Sequence, residues 1–255
     1  PDFVIGWVQN IIPIFTSIAV AVLLTFKFDI DLFALILKVF SPIQGFGQTL
    51  PGFVLLIFLM TFFYTLGISH WLWNGIKTPI FMAGIAANIA AVEQGLSATN
   101  IATNEAVFTA GLITMGGMGA TLTLNLLMCF SKSKSLKTVG RLSILPSIFN
   151  INEPIMYSAP IVMNPLLMVP MWINAITGPL VIWFTMRSGF LNIPSKMIQV
   201  GQIPAPLSSV MITEDLRAII VYILLFIIYL ATWYPFFKVY EKQRITEEEF
   251  EATSK

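Results

Sequence analysis

The chain has 255 residues, of which 56% are hydrophobic and only 11% are charged, and its formal net charge is +1. Soluble domains carry about 25% charged residues, so this composition excludes an ordinary water-soluble protein and predicts an integral membrane protein. The near-neutral charge leaves no basic surface that would bind nucleic acid. The single cysteine, Cys129, lies in an apolar run, so it predicts neither an internal disulfide nor a metal site.

Apolar intervals of membrane length mark the predicted spans. A helix needs about 20 apolar residues to cross about 30 Å of hydrocarbon. Residues 27–40 differ, because they mix charges with apolar residues at helical spacing and predict an interfacial helix. The predicted spans are residues 3–26, 50–67, 106–130, 160–186 and 218–237.

Two further regions are apolar but interrupted. Residues 67–95 hold apolar pieces of about 10 to 15 residues between glycines and a proline, and residues 142–160 are broken around Pro154. Non-helical backbone at membrane depth is tolerated only where protein buries it or where it lines a wet cavity. Paired broken segments are typical of transporter binding sites. We therefore predict two re-entrant hairpins that face one cavity.

Basic residues predict the orientation. Lysines and arginines cluster in residues 132–141 and again in residues 238–244. Loops enriched in these residues stay on the cytoplasmic side. Two crossings separate the clusters, so we predict a cytoplasmic C-terminus with a polar tail over residues 241–255.

Glu153 is the first candidate functional residue, since no other charge occurs between Leu142 and Met186. An acid at the centre of a membrane helix costs about 2.5–3.5 kcal/mol, so such residues usually face a cavity and have a function. Pro154 disfavours helix at Glu153 and leaves nearby backbone groups, and the amides of Asn150 and Asn152, free for a polar ligand. The alternative is an interfacial acid that reaches toward the basic loop.

His70 is the one histidine in the sequence, and tryptophans and an asparagine follow it closely. Imidazole can donate to or accept from a hydroxyl group, and it can hold a proton near neutral pH. Tryptophan offers an apolar face on which sugars stack. The alternative is an aromatic belt at the membrane surface, where both residue types are common.

The remaining polar residues restrict the ligand class. The sequence has no acid cluster for a cation pump, no arginine array for voltage sensing and no glycine-rich phosphate loop with a lysine. One acid, one histidine and several asparagines suit a neutral, hydroxyl-rich solute. The glycine-rich stretch at 114–120 predicts close helix packing. Other charges are expected at interfaces or in loops, namely Lys77, Glu93, Glu105, Arg187 and Glu214.

The stretch INEPIMYSAPIVMNP, residues 151–165, resembles the Asn-Glu-Pro signature of enzyme IIC in bacterial sugar phosphotransferase systems of the lactose/cellobiose/diacetylchitobiose class. The resemblance extends over nearly the whole chain and corresponds to the C-terminal half of a family member. Upstream, residues 67–70 are similar to the family's Gly-Ile-His but one residue longer, so either Ser69 or His70 takes the histidine's place. The matching signature residues are Asn152, Glu153, Pro154, Pro160, Asn164 and Pro165.

The resemblance implies an all-α, multi-span integral membrane bundle with two re-entrant hairpins, the enzyme IIC transport-domain architecture, over residues 1–240. It implies a multi-pass permease of the bacterial inner membrane in a phosphoenolpyruvate-dependent system. The permease would bind a disaccharide, turn it toward the cytoplasm and present it to a phosphorylated IIB protein. The resemblance also implies a homodimer for the full-length form. The resemblance implies no cofactor or metal, and no phosphorylated residue on this chain.

The resemblance also implies residue roles. Glu153 would accept hydrogen bonds from sugar hydroxyls and take the proton released during phosphoryl transfer, and His70 would supply a second hydrogen bond. Asn152 would support them. The predicted substrate-binding residues are Asn152, Trp71, Trp73, Asn74, Asn150 and Asn164.

Two other functions fit the same residues. A secondary transporter could move a neutral solute unmodified and use Glu153 to couple transport to protons. A truncated paralogue that does not transport could serve as a sensor or scaffold. Dependence of sugar modification on phosphorylated IIB separates these functions from a phosphotransferase permease.

Overall fold

A computed structural model describes residues 2–27, 45–198 and 203–253. These residues form helices joined by turns and loops, with no β-strand among them, which confirms the predicted all-α class. A 3₁₀ turn at His70–Trp73 precedes α3, and a π turn at Glu105–Thr109 precedes α4. The α-helices are α1 (Asp2–Lys27), α2 (Leu50–Thr65), α3 (Asn74–Glu93), α4 (Leu122–Cys129), α5 (Lys134–Ile148), α6 (Glu153–Ser158), α7 (Pro165–Arg187), α8 (Ala205–Thr213) and α9 (Ala218–Thr253).

Helix α1 belongs to a compact unit of its own, residues 1–43. Its 26 residues coincide with the span predicted at 3–26 and extend about 39 Å at ~1.5 Å per residue. Apolar side chains such as Ile12 and Phe26 are exposed along it, as on a helix that contacts lipid. The interfacial helix predicted at 27–40 lies outside the described residues except for Lys27, which ends α1.

The second unit, residues 44–255, contains the other helices. Helix α2 packs along α7, where Phe62 and Trp172 have ring centroids 5.3 Å apart. Three stretches of the described chain are long and apolar enough to cross a membrane, namely His70–Glu93, α7 and α9. Helices α2, α7 and α9 overlap the spans predicted at 50–67, 160–186 and 218–237.

The hairpin predicted at 67–95 differs from the structure, because α3 runs without interruption through Pro79. Proline removes one hydrogen bond and its ring clashes with the carbonyl four residues earlier. That carbonyl belongs to Gly75 in the first turn of α3, where one lost hydrogen bond does not end the helix. The break in this region is therefore confined to the turn between α2 and α3.

The span predicted at 106–130 is not a continuous helix. The π turn covers its first residues, residues 110–121 are irregular and wholly buried, and only the eight-residue helix α4 follows. Gly116, Gly117 and Gly119 have φ of +78°, +108° and +83°, a left-handed region that glycine adopts readily. Burial within the protein permits such backbone at membrane depth.

Helix α9 supplies hydrogen-bond donors to this irregular segment. The Trp233 Nε1–H group donates to the carbonyl of Ala120 at 2.9 Å, and the Tyr229 hydroxyl donates to the carbonyl of Leu112 at 3.1 Å. Carbonyls that are buried away from water require such partners. The two aromatic side chains, both fully buried, therefore take the place of helical hydrogen bonds.

The polar end of α9 is helical to Thr253 and holds the basic loop that precedes α5. Glu241 accepts hydrogen bonds from the Ser131 hydroxyl at 2.7 Å and from the Lys132 amide at 2.8 Å. Two turns later, Glu248 accepts from the Ser133 hydroxyl at 2.6 Å. The basic loop and the polar tail therefore lie at the same end of this unit.

Candidate functional site

The signature opens at a helix break. Helix α5 ends at Ile148, Asn150 adopts φ of +62°, and the short helix α6 begins at Glu153. Pro154 occupies the first turn of α6, where its missing N–H group costs no hydrogen bond. The break exposes the Glu153 side chain rather than burying it.

The end of α2 brings the signature close to His70. The Tyr64 hydroxyl donates to Asn152 Oδ1 at 3.2 Å, and the Tyr64 ring meets the His70 ring edge-on at 5.4 Å between centroids. The Met163 amide donates to the carbonyl of Thr65 at 2.9 Å, which ties the two segments again. Tyr64 thus contacts both His70 and Asn152, the residue that precedes Glu153.

Glu153 lies close enough to the Tyr64 and His70 side chains for its charge to affect them. Its carboxylate interacts electrostatically with His70 and with Tyr64. The His70 ring is half-buried, and its Nδ1 atom is buried without a hydrogen-bond partner among the described residues. The exposed Glu153 carboxylate and the half-buried His70 ring therefore lie near one another.

The two predicted tryptophans have different environments. Trp71 is 63% exposed and lies 5.1 Å from the His70 ring, so its face is open to a ligand. Trp73 is half-buried and packs on Phe63 at 5.5 Å between ring centroids. The structure therefore places Trp71 beside the candidate site and gives Trp73 a packing contact.

Asn150 and Asn152 hold the glycine-rich segment instead of lying free. Asn152 Nδ2 donates to the carbonyl of Met118 at 2.9 Å while its Oδ1 accepts from Tyr64. Asn150 Oδ1 accepts from the amide of Gly116 at 2.9 Å. The expectation of free amides at these two positions is wrong, because buried backbone of the irregular segment already uses them.

The other two predicted asparagines begin helices. Asn164 is the N-cap of α7, and its Oδ1 accepts a hydrogen bond from the amide of Leu166 at 3.1 Å. Such caps stabilise a helix by about 1 kcal/mol. Asn74 is the half-buried first residue of α3, directly after the turn that carries His70. Ligand binding by these two residues stays a prediction.

Three residues differ from the sequence-based expectation: Tyr64 was not predicted, and Lys77 and Glu105 were expected at interfaces or in loops. Tyr64 gave little signal within a run of phenylalanines. Lys77 was expected in a loop or interface, yet it is 7% exposed and its Nζ atom lies 4.0 Å from the centroid of the Phe108 ring. Glu105 is fully buried, and neither of its carboxylate oxygens has a hydrogen-bond partner among the described residues. Lys77 is covered by Phe108, which is distant in sequence, so local hydropathy does not reveal its burial.

A separate cavity of about 370 Å³ lies near the ends of α3 and α7. Val92, Asn192 and Glu214 contribute to its lining. Helix α7 has 23 residues, or about 34 Å at ~1.5 Å per residue, and Asn164 caps its other end. This cavity is therefore distinct from the candidate site around Glu153 and His70.

Replacing Tyr64 with phenylalanine tests the link between α2 and the signature. The change leaves Asn152 Oδ1 without its donor in a buried position, which should lower the free energy of unfolding by about 1–3 kcal/mol. Thermal unfolding of the purified protein measures the effect. Tyr234→Phe is the matched control, since Tyr234 is 51% exposed on α9. Equal melting temperatures for the two variants would contradict the link.

Several known proteins are similar to this chain in sequence. The family model described as "Phosphotransferase system, EIIC" matches residues 2–175. The cellobiose-specific EIIC component of the phosphotransferase system of Geobacillus stearothermophilus is 33% identical over 218 residues, which are 84% of this chain and 48% of that protein. The lactose-specific EIICB component of Staphylococcus epidermidis is 34% identical over 223 residues, which are 84% of this chain and 37% of that protein.

A solved structure shares the fold. The crystal structure of the transporter ChbC, the IIC component from the N,N'-diacetylchitobiose-specific phosphotransferase system, matches with a TM-score of 0.77 and 32% identity over 82% of this chain and 49% of that one. The present chain thus spans about half the length of ChbC and about half the length of the cellobiose-specific EIIC component. Because the family model covers more than half of the chain and the fold agrees, this chain belongs to the EIIC family of membrane proteins of the phosphotransferase system.

Proposed function

We propose that this chain is the sugar-binding and translocating part of a phosphotransferase permease for a disaccharide of the cellobiose, lactose or chitobiose type. The observation that carries the proposal is that Tyr64 contacts both His70 and Asn152, the residue that precedes the exposed Glu153. The printed names of the relatives, cellobiose-specific and lactose-specific, support the substrate class.

Glu153 is proposed as the general base. When a sugar hydroxyl oxygen attacks the phosphorus of the phosphorylated IIB cysteine, an O–P bond forms and the S–P bond breaks. The hydroxyl proton passes to the Glu153 carboxylate, and the IIB thiolate leaves. Phosphoryl transfer depends mainly on positioning and charge stabilisation, so one exposed carboxylate near the acceptor hydroxyl suffices on this side of the reaction.

The surrounding residues are proposed to position the sugar. The half-buried His70 imidazole would bond a second hydroxyl, and the exposed ring of Trp71 would stack on a sugar ring. Asn150 and Asn152 would act indirectly, because they fix the signature against the glycine-rich segment. These hydrogen bonds would fix the backbone from which the Glu153 side chain extends.

A IIB protein is proposed to approach from the end that carries the polar tail. The Tyr240 hydroxyl of α9 donates to the carbonyl of Ala159 at 3.1 Å, so the end of α6 lies beside that tail. Glu153 begins the same short helix. A cytoplasmic C-terminus would therefore give phosphorylated IIB a short path to the acceptor hydroxyl. The EIICB name of the lactose-specific relative supports a IIB partner, and a homodimer in the inner membrane is proposed from the family resemblance.

A sugar panel tests the proposed function. The complete reading frame that contains this chain is expressed in membranes and assayed for sugar phosphate formation with phosphorylated IIB. We expect cellobiose, lactose or diacetylchitobiose to be phosphorylated and a monosaccharide to react more slowly. Well-folded protein that phosphorylates no member of the panel would contradict the proposal and favour a scaffold role.

A further inference from the structure

Lys77 is a buried cation beside the candidate site. It lies in the first turn of α3 with only 7% of its surface exposed. Its Nζ atom contacts the face of Phe108 and lies 5.7 Å from the centroid of the Trp71 ring. Within residues 45–198 and 203–253, the acidic side chains that form ion pairs do so with other basic residues, and none pairs with Lys77.

Among the described residues, the Lys77 ammonium group forms no ion pair with an acidic side chain. Lysine carries three N–H donors, and buried charges are normally paired or hydrogen-bonded. A cation–π contact with Phe108 offsets part of the desolvation cost, but a ring face does not supply the oxygen acceptors that an ammonium group prefers. Lys77 is therefore poised to bind an anionic oxygen.

The position of Trp71 connects this cation to the ligand. Its ring is 5.1 Å from His70 and 5.7 Å from Lys77 Nζ, and Lys77 also interacts electrostatically with His70. A sugar ring on the open face of Trp71 would have both groups within reach of its substituents. The three residues thus define the lysine subsite, which consists of Lys77, His70 and Trp71.

We propose that the lysine subsite binds an anionic oxygen group carried by the sugar. That group is either the carboxylate of an acidic disaccharide or the phosphoryl group of the sugar phosphate. The inference rests on the proposed function, because it assumes that a sugar occupies the site. It adds that the site distinguishes charged sugars from neutral ones. Neutral side chains that bind hydroxyl groups would not do so alone.

Ligand affinities test the proposal. Dissociation constants of the purified protein, from the complete reading frame, are measured by calorimetry for cellobiose, cellobiose 6'-phosphate and cellobiouronic acid. We expect at least one of the two acids to bind roughly tenfold more tightly than cellobiose, as one charge-assisted hydrogen bond would provide. Lys77→Met should abolish that preference, whereas Lys77→Arg should keep it.

The arms separate the possible outcomes. A preference for the 6'-phosphate alone assigns the subsite to the product, and a preference for both acids assigns it to acidic substrates as well. Lys242→Met, at an exposed lysine of the tail, is the control and should change nothing. The subsite alone would be overturned if the ratio of the dissociation constants for acid and for cellobiose were the same in the wild type and in Lys77→Met. Loss of binding of all three ligands in that variant would also overturn it. Failure of the wild type to bind any sugar would overturn the proposed function itself.

Discussion

Replacing Glu153 with glutamine is expected to lower phospho-IIB-dependent sugar phosphorylation by about 100-fold or more, the usual contribution of a general base. Glutamine keeps the size of the side chain but cannot take the hydroxyl proton. Glu153 is exposed and makes no hydrogen bond or ion pair through its side chain within the described residues, so the fold should not depend on its charge. Initial rates of sugar phosphate formation measure the effect.

Two controls distinguish loss of the general base from loss of folded protein. Glu93→Gln changes an exposed acid at the last residue of α3, far along the helix from His70, and should retain the wild-type rate. Glu153→Gln should also match the wild type in membrane yield and melting temperature. A Glu153→Gln protein that phosphorylates sugar at the wild-type rate would show that the acid is an interfacial charge without a role in transfer.

Replacing Gly117 with alanine is expected to destabilise the protein by roughly 2–6 kcal/mol, through strained backbone and overpacking together. Gly117 has φ of +108°, and a Cβ atom there would lie 2.4 Å from Cγ of Asn152. Asn152 cannot easily move away, because Tyr64 and Met118 hold both ends of its amide. The clash would displace the residue that precedes Glu153, so sugar phosphorylation should fall together with stability.

Gly75→Ala is the matched control for this prediction. A Cβ atom at Gly75 would meet nothing within 4 Å, and the residue lies within helix α3. Alanine in a helix is favoured over glycine by about 1 kcal/mol, so this variant should be as stable as the wild type or slightly more so. The measurement is thermal unfolding in detergent. Similar melting temperatures for Gly117→Ala and Gly75→Ala would contradict the close contact between the glycine-rich segment and the signature.

The sequence was informative about the fold where length and hydropathy suffice. Helices α7 and α9 are long, apolar and almost free of charge in their membrane portions, so counting residues located them. Two regions were harder. Pro79 is a strong local signal for a break, yet its position near the start of α3 makes the lost hydrogen bond tolerable. Residues 110–121 have the apolar composition of a span, although their backbone is irregular. Their hydropathy does not show that protein, rather than lipid, surrounds them.

The candidate site was partly predictable for a similar reason. Glu153 stands out because a lone acid in an apolar run is costly, and His70 because it is the one histidine of the sequence. The bracing role of Asn152 could not be read locally, since its partners lie 34 and 88 residues away. The burial of Lys77 likewise depends on Phe108, which a separate segment brings over it.

Sugar uptake into membrane vesicles tests the central claim most directly. Vesicles that contain the complete reading frame are given labelled cellobiose, lactose and diacetylchitobiose, with or without phosphorylated IIB inside and with or without a protonophore. The account predicts that at least one disaccharide accumulates as its phosphate, only with phosphorylated IIB, and regardless of the proton gradient. Accumulation of unmodified sugar without phosphorylated IIB, abolished by the protonophore, would contradict it and indicate a proton-coupled transporter.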